Sequence, residues 1–207
     1  DALHICPGFF QTLSERDFES GLGEVVKFNI MAGEHGLKNI EDNIDRLLAR
    51  DEDCLKQFVY SSLEFKKGFI EVDEFDRGER IKLNFAHTFG HAIETVTGYE
   101  IPHGTAVAIG MIMANRVAER RGMLDSEIAR RSEKVLLRVI HIGIDLNEYP
   151  LERFISAMRK DKKQTSEHLT AVLMTNVAKD LKIVHDVQIE EVADARDYFE
   201  QLYHAQA

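Results

Sequence analysis

The stretch from Arg80 to Gly110 gathers three histidines, an asparagine and an arginine, bracketed by small and apolar residues. His87 and His91 stand four apart, so a helix through LNFAHTFGHAIE sends both imidazoles out from one face. His103 follows in Pro-His-Gly, where a loop should hand over to the next helix. Neutral imidazole is the commonest metal ligand and a proton shuttle near neutral pH. A His-x-x-x-His pair can share one ion, as in zinc peptidases, but Thr88 stands where those enzymes carry their general-base glutamate. A catalytic ion takes about three protein ligands and keeps one position open. His103, Glu24, Glu94 or Glu100 could each supply the third, and spacing alone does not choose. A single histidine would read as a hydrogen-bonded core residue. Three within seventeen residues, flanked by Gly90 and Gly104, read as a site.

Cations form the other half of the chemistry. Lys27, Lys66, Arg80, Lys162 and Lys163 are scattered through otherwise ordinary contexts, and each by itself reads as a solvated surface charge. An arginine suits a bidentate grip on carboxylate or phosphate, whereas a lysine supplies a mobile point charge.

The elements that must position these groups are mostly helical. Ser14 to Asp17 reads as a helix start, followed by Phe18, Leu22, Val25 and Val26 in helical rhythm, with a break from Gly33 to Gly36. Residues 39–65 predict one or two amphipathic helices. Residues 66–80 predict the end of a helix and an irregular loop leading into the histidine helix. From Thr105 to Arg121 small and apolar residues dominate, the composition of a buried helix, and Gly122 ends it. Further helices are expected over 125–142, 151–160 and 189–202. Residues 169–174 and 181–187 predict a short β-hairpin. Leu3 to Pro7 reads as a strand running into a turn.

The bulk properties set limits. The 207 residues, 44% hydrophobic and 30% charged, suit a globular unit with a real core. A formal net charge of −10 and no basic block exclude a nucleic-acid surface, although local cations still permit an anionic substrate. No apolar run is long enough for a membrane span. Cys6 and Cys54 lie far apart without a partner motif, so no disulfide framework is implied and a cytoplasmic location is expected.

The runs NFAHTFGHAIE at 84–94 and HGTAVAIGM at 103–111 closely resemble the core motif of 3-dehydroquinate synthase and its sugar-phosphate cyclase relatives. GEVVK at 23–27 resembles the family's Glu-Val-Ile-Lys helix, and Lys66, Asp73 and Glu74 keep the family's spacing to Arg80. Met158, Asp161, Lys162 and Lys163, followed by VLM at 172–174, resemble its late Asp-Lys-Lys segment and the next strand. The resemblance runs nearly end to end. It implies a mainly α fold, the multi-helical dehydroquinate-synthase-like C-terminal domain with a small β-hairpin.

The resemblance also implies roles. A divalent metal, zinc or alternatively cobalt, is held by Glu24, His87 and His103, and His91 becomes a contact to the substrate phosphate. Lys27 positions substrate hydroxyls. Lys66 and Arg80 face a substrate carboxylate. Asn84, His91 and a lysine of the Lys162–Lys163 pair lie near the phosphate, with Asp76 in the loop before Arg80. The implied reaction, part of the shikimate pathway, cyclises a seven-carbon keto-acid phosphate with loss of phosphate. NAD transiently oxidises a ring alcohol to acidify the neighbouring C–H.

Three positions depart from the family pattern: Asp76 replaces a glutamate, Ala86 a glycine, and Thr105 a glutamate. They bear on the substrate rather than the fold. The family's N-terminal nucleotide-binding half has no counterpart here, since no Gly-rich strand-turn-helix occurs. Residues 1–8 match that domain's last strand and 9–207 the helical metal- and substrate-binding domain. The isolated chain is expected to bind NAD poorly, and the full-length protein to be a homodimer. Two rival readings are another sugar-phosphate cyclase or a metal-dependent polyol dehydrogenase of the same superfamily, and a helical domain that binds without catalysing.

Overall fold

The computed structural model describes residues 4–75, 78–160, 168–176 and 180–205. Its centre is α5 (His103–Arg120), whose residues from Gly104 to Asn115 are all buried. A helix that is apolar on every side must be wrapped. Helices α1 (Glu15–Met31), α4 (His87–Val96), α6 (Ser126–Leu137) and α8 (Ile189–His204) pack around it, together with strand β1 (Leu169–Thr175).

Outside this shell lie α2 (Glu34–Leu48) and α3 (Glu52–Val72), both against α1, and α7 (Leu151–Lys160) against α4. Strand β2 (Asp180–Val187) pairs antiparallel with β1, the hairpin expected from the sequence. β1 is buried along nearly its whole length because α5 covers it.

Local chemistry starts the helices. The Ser14 hydroxyl accepts the Asp17 N–H at 3.1 Å and opens α1. Asp51 accepts from Cys54 N–H at 2.8 Å to open α3, and Asp125 caps α6. Such caps are each worth about 1 kcal/mol. Between α2 and α3, Arg50 takes a left-handed φ of 57°, so the 39–65 stretch is two helices. The break before α2 is at Gly33, with φ 91°, whereas Gly36 lies inside α2 and is buried.

Three elements differ from expectation. The histidine helix begins only at His87; residues 79–84 form a 3-10 helix, and Ala86 turns the chain at φ 70°. That turn sends Phe85 into the core instead of along a continuous helix. Helix α6 stops at Leu137 rather than 142. Its last amides shorten to three-residue bonds, Arg138 N–H to Val135 O and Val139 N–H to Leu136 O, and the β-branched Val139 and Ile140 do not continue it. At the other end, Pro7–Thr12 is a 3-10 helix, and His4–Cys6 pair with no strand among the described residues. A strand needs an edge to bond to, and the described sheet consists of β1 and β2.

No helix of the described residues is long and apolar enough to cross a membrane. Cys6 is exposed and Cys54 buried, and neither is in a disulfide.

Candidate metal centre and substrate pocket

Three helices meet where the chemistry-bearing residues converge. Glu24 and Lys27 come from the middle of α1, His87 is the first residue of α4, and His103 the first of α5. Their meeting depends on missing side chains. A Cβ on Gly23 would stand 2.1 Å from the Gly104 carbonyl oxygen, and one on Gly104 only 1.7 Å from that of Ser20. The α1 and α5 backbones therefore touch one residue before Glu24 and one after His103. The Ser20 hydroxyl fixes the contact by accepting the Gly104 N–H at 3.0 Å, one of the amides a helix start leaves open. On the other side, a Cβ on Gly110 would meet the Ala86 carbonyl at 2.6 Å, which seats the start of α4 on α5.

Within this junction Glu24 Oε2 pairs with Lys27 Nζ at 2.8 Å. Its other oxygen, Oε1, is buried and accepts no hydrogen bond. Two imidazole nitrogens face it: His87 Nε2 at 3.7 Å and His103 Nε2 at 3.5 Å. Both separations are long for a hydrogen bond. Ligands that each lie about 2.0–2.2 Å from one tetrahedral zinc ion stand roughly 3.3–3.6 Å apart, which the His103 separation meets and the His87 separation exceeds by about 0.1 Å. The second nitrogen of each ring is engaged: His87 Nδ1 with the Phe85 carbonyl at 3.1 Å, and His103 Nδ1 with both Glu94 oxygens at 3.3 Å. An orphaned buried oxygen faced by two Nε2 atoms is a donor set that fits a divalent metal.

Protonation favours the same reading. Burial would raise the Glu24 carboxyl, but the neighbouring His103 and the Lys27 charge outweigh it and hold the pKa at about 2. Burial, aided by Lys27, pushes His87 down to about 4. At neutral pH Glu24 is ionised and His87 neutral, the forms that bind metals. His103 is shifted upward, first by Glu24 and then by Glu94 against burial. Lys27 is 2% exposed, and burial lowers its pKa against the pull of Glu24.

A cavity of about 320 Å³ opens beside this centre. Its walls bring together Glu24, Lys27, Lys66, Arg80, Asn84, His87 and His103, residues spread over eighty positions of sequence. Phe28 and Leu83 complete it. Three cations against one carboxylate make this a locally positive pocket in a chain of net charge −10. Arg80 is held by its loop: Asp73 Oδ2 accepts the N–H groups of Gly78 at 2.7 Å and Arg80 at 3.1 Å, and the Arg80 guanidinium donates to the Glu74 carbonyl. Asn84 donates to the Ile81 carbonyl at 2.8 Å.

The i, i+4 pair has a different outcome from the one its spacing suggests. His91 lies beside His87, ring centroids 5.3 Å apart, but belongs to a second cluster with Glu94 and His103. Glu100 enters no such cluster among the described residues. Asp76, Lys162 and Lys163 lie outside the described residues. Of the departures from the family pattern, Ala86 takes the left-handed conformation that glycine adopts without strain, and Thr105 is buried in the first turn of α5. Spacing gave no sign of the Leu83 carbonyl, which accepts from Lys27 at 3.3 Å, or of Phe28, whose ring lies 4.6 Å from the same ammonium. The only available cue was the adjacency of Phe28 to Lys27.

Comparison with known proteins gives the family and the fold. The sequence model of the family described as 3-dehydroquinate synthase C-terminal matches residues 21–164. The 3-dehydroquinate synthase of Acinetobacter baumannii strain AYE is 38% identical over 185 residues, covering 89% of this chain and 51% of that protein. The chain thus spans about half the length of the curated relatives it matches. Among solved structures, 2-epi-5-epi-valiolone synthase from Streptomyces hygroscopicus subsp. jinggangensis 5008, with NAD+ and Zn2+ bound, superposes with a TM-score of 0.79. It is 19% identical, over 94% of this chain and 54% of that one. A 2-deoxy-scyllo-inosose synthase complexed with carbaglucose-6-phosphate, NAD+ and Co2+ gives 0.74 at 21% identity, over 88% and 51%. At these identities the two structures speak for the fold, while the matched family model and the relatives place the sequence: the chain belongs to the 3-dehydroquinate synthase C-terminal family.

Proposed function

We propose that this chain is the metal- and substrate-binding half of a 3-dehydroquinate synthase-like lyase, which cyclises a seven-carbon keto-acid phosphate and eliminates phosphate. The observation that carries the reading is the Glu24 oxygen, buried without a hydrogen bond and faced by His87 and His103 at the wall of a cationic cavity. Glu24, His87 and His103 would hold the metal, with zinc favoured by the nitrogen-rich donor set and cobalt a workable substitute. When bound, the ion supplies Lewis acidity toward a substrate hydroxyl or carbonyl oxygen.

The chain's own residues do the rest. Of the three ammonium donors of Lys27, Glu24 and Leu83 take two, which leaves one for a substrate hydroxyl. Lys66 and Arg80 oppose the substrate carboxylate, and Asp73 Oδ2 holds the Arg80 backbone by accepting its N–H. By the resemblance, Asn84 in the cavity wall and His91 beside His87 would contact the phosphate. On resemblance alone, Lys162 or Lys163 joins them and Asp76 serves the loop before Arg80. The two cations assigned to a carboxylate favour a keto-acid phosphate over a sugar phosphate that has no carboxylate.

NAD belongs to the same reading. Its contacts would come mainly from sequence outside these 207 residues, since relatives of the matched family are about twice as long. Residues 1–8 would end that domain and 9–207 form this one. The full-length protein is proposed to be a homodimer with no nucleic-acid or membrane partner, and the two unpaired cysteines support a cytoplasmic location.

Elemental analysis tests the core of the proposal. One zinc per chain is expected, and Glu24→Gln should lose it. A chain that binds no zinc, or whose zinc ignores Glu24, refutes the assignment. In the full-length protein, Arg80→Ala should slow phosphate release from the keto-acid phosphate, and an unchanged rate would remove the carboxylate argument.

A further inference from the structure

The two ring nitrogens of His103 face two different carboxylates. Nε2 is 3.5 Å from Glu24 Oε1, and Nδ1 is 3.3 Å from each oxygen of Glu94. Glu94 sits in the last turns of α4, its side chain mostly buried, and its backbone carbonyl is bonded to the Tyr99 N–H at 2.7 Å. That end of α4 is therefore anchored while its carboxylate reaches the first residue of α5.

His87 shows what such a contact does. A backbone carbonyl can only accept, so the Phe85 oxygen at 3.1 Å keeps the His87 proton on Nδ1 and leaves Nε2 as a lone pair toward Glu24. An ionised carboxylate is likewise an acceptor only. We propose that Glu94 is a positioning residue for the metal centre: it accepts from His103 Nδ1–H and holds that imidazole in the tautomer whose Nε2 faces Glu24. The inference rests on the assignment of Glu24, His87 and His103 as metal ligands.

The competing role for Glu94 is as a ligand, because His91, Glu94 and His103 also bring donor atoms within 4.8 Å of one another. If that cluster and the Glu24 cluster both bound metal, His103 would have to bridge with both nitrogens and surrender its ring proton. With Glu94 as acceptor, one neutral imidazole serves both neighbours. The carboxylate also makes the ring a better donor at Nε2, and loss of such an outer partner typically costs about 10–100-fold in metal affinity.

The test is zinc affinity by competition with a chromophoric chelator, for the 207-residue chain and four variants, with thermal midpoints of the metal-free proteins alongside. Glu94→Ala should weaken zinc binding by about 10–100-fold while its metal-free midpoint stays near that of the parent chain. Glu94→Gln keeps an acceptor oxygen and should recover part of the loss. His91→Ala should leave zinc affinity unchanged. An affinity for Glu94→Ala equal to the parent's overturns the proposal, as does a loss that His91→Ala reproduces, which would make Glu94 a ligand of the neighbouring cluster. Retention of parental affinity by Glu24→Gln would instead overturn the ligand assignment beneath it, so the two failures are separable.

Discussion

The two ends of α5 carry charge in opposite ways. At its C-terminal end Arg121 is fully matched: its guanidinium donates to both Glu191 oxygens at 2.6 Å and to Asp186 at 2.8 Å, and these bonds raise its pKa. Arg116, one turn earlier, pairs with Asp194 at 2.9 Å and stacks over Tyr198 at 4.3 Å. These contacts tie α5 to β2 and α8. At its N-terminal end His103 meets a carboxylate whose nearer oxygen has no hydrogen bond, beside a lysine that is 2% exposed. Burying an incompletely satisfied charge costs stability. The matched end holds the fold, and the unmatched end is shaped for something that arrives later.

The sharpest test of this contrast is at the unmatched end. His103→Ala should abolish zinc binding, whereas His91→Ala should keep the metal and weaken only the binding of phosphate, both read by calorimetry. The reverse pattern would make the helical pair the true site and dissolve the contrast. Next in size is Gly104→Ala. Its new methyl would meet the Ser20 carbonyl, forcing α1 from α5 at a cost of about 3 kcal/mol in chemical denaturation, with zinc affinity falling in parallel. Undiminished zinc affinity would show that the helix crossing does not set the ligand distances.

Arg121→Ala probes the matched end. It should cost about 1–3 kcal/mol of stability and leave zinc affinity untouched, since the ion pairs lie on the side of α5 facing α8. A change in zinc affinity would mean that the two ends are coupled. The smallest effect belongs to Ala86→Gly, which relieves a φ of 70° and should raise the thermal midpoint by an amount equivalent to about 0.5–1 kcal/mol. A lowered midpoint would show that the alanine methyl packs well enough to offset its strain.

Much of this was legible in the sequence because rare residue types cluster. Histidines at 87, 91 and 103 announced a site, and the unbroken apolar run of α5 announced a buried helix. The partner carboxylate was not legible from spacing. Glu24 is sixty-three positions from His87, and only the resemblance of GEVVK at 23–27 joined them. The pair at 87 and 91 did share a face, but sharing a face decides nothing about which third group approaches it. The early start of the histidine helix failed for a related reason: nothing in an alanine predicts the left-handed turn that sends Phe85 into the core. Helix α6 ended early where β-branched residues met tertiary burial, a balance that local pattern does not weigh.

The contact of Gly23 with Gly104 has one more consequence. The distance across the centre is encoded by two positions that bear no functional group, where any added atom has nowhere to go. A saturation-mutagenesis map of this chain would show intolerance at these two silent positions as severe as at the ligands themselves, and a search guided by reactive side chains alone would pass over both.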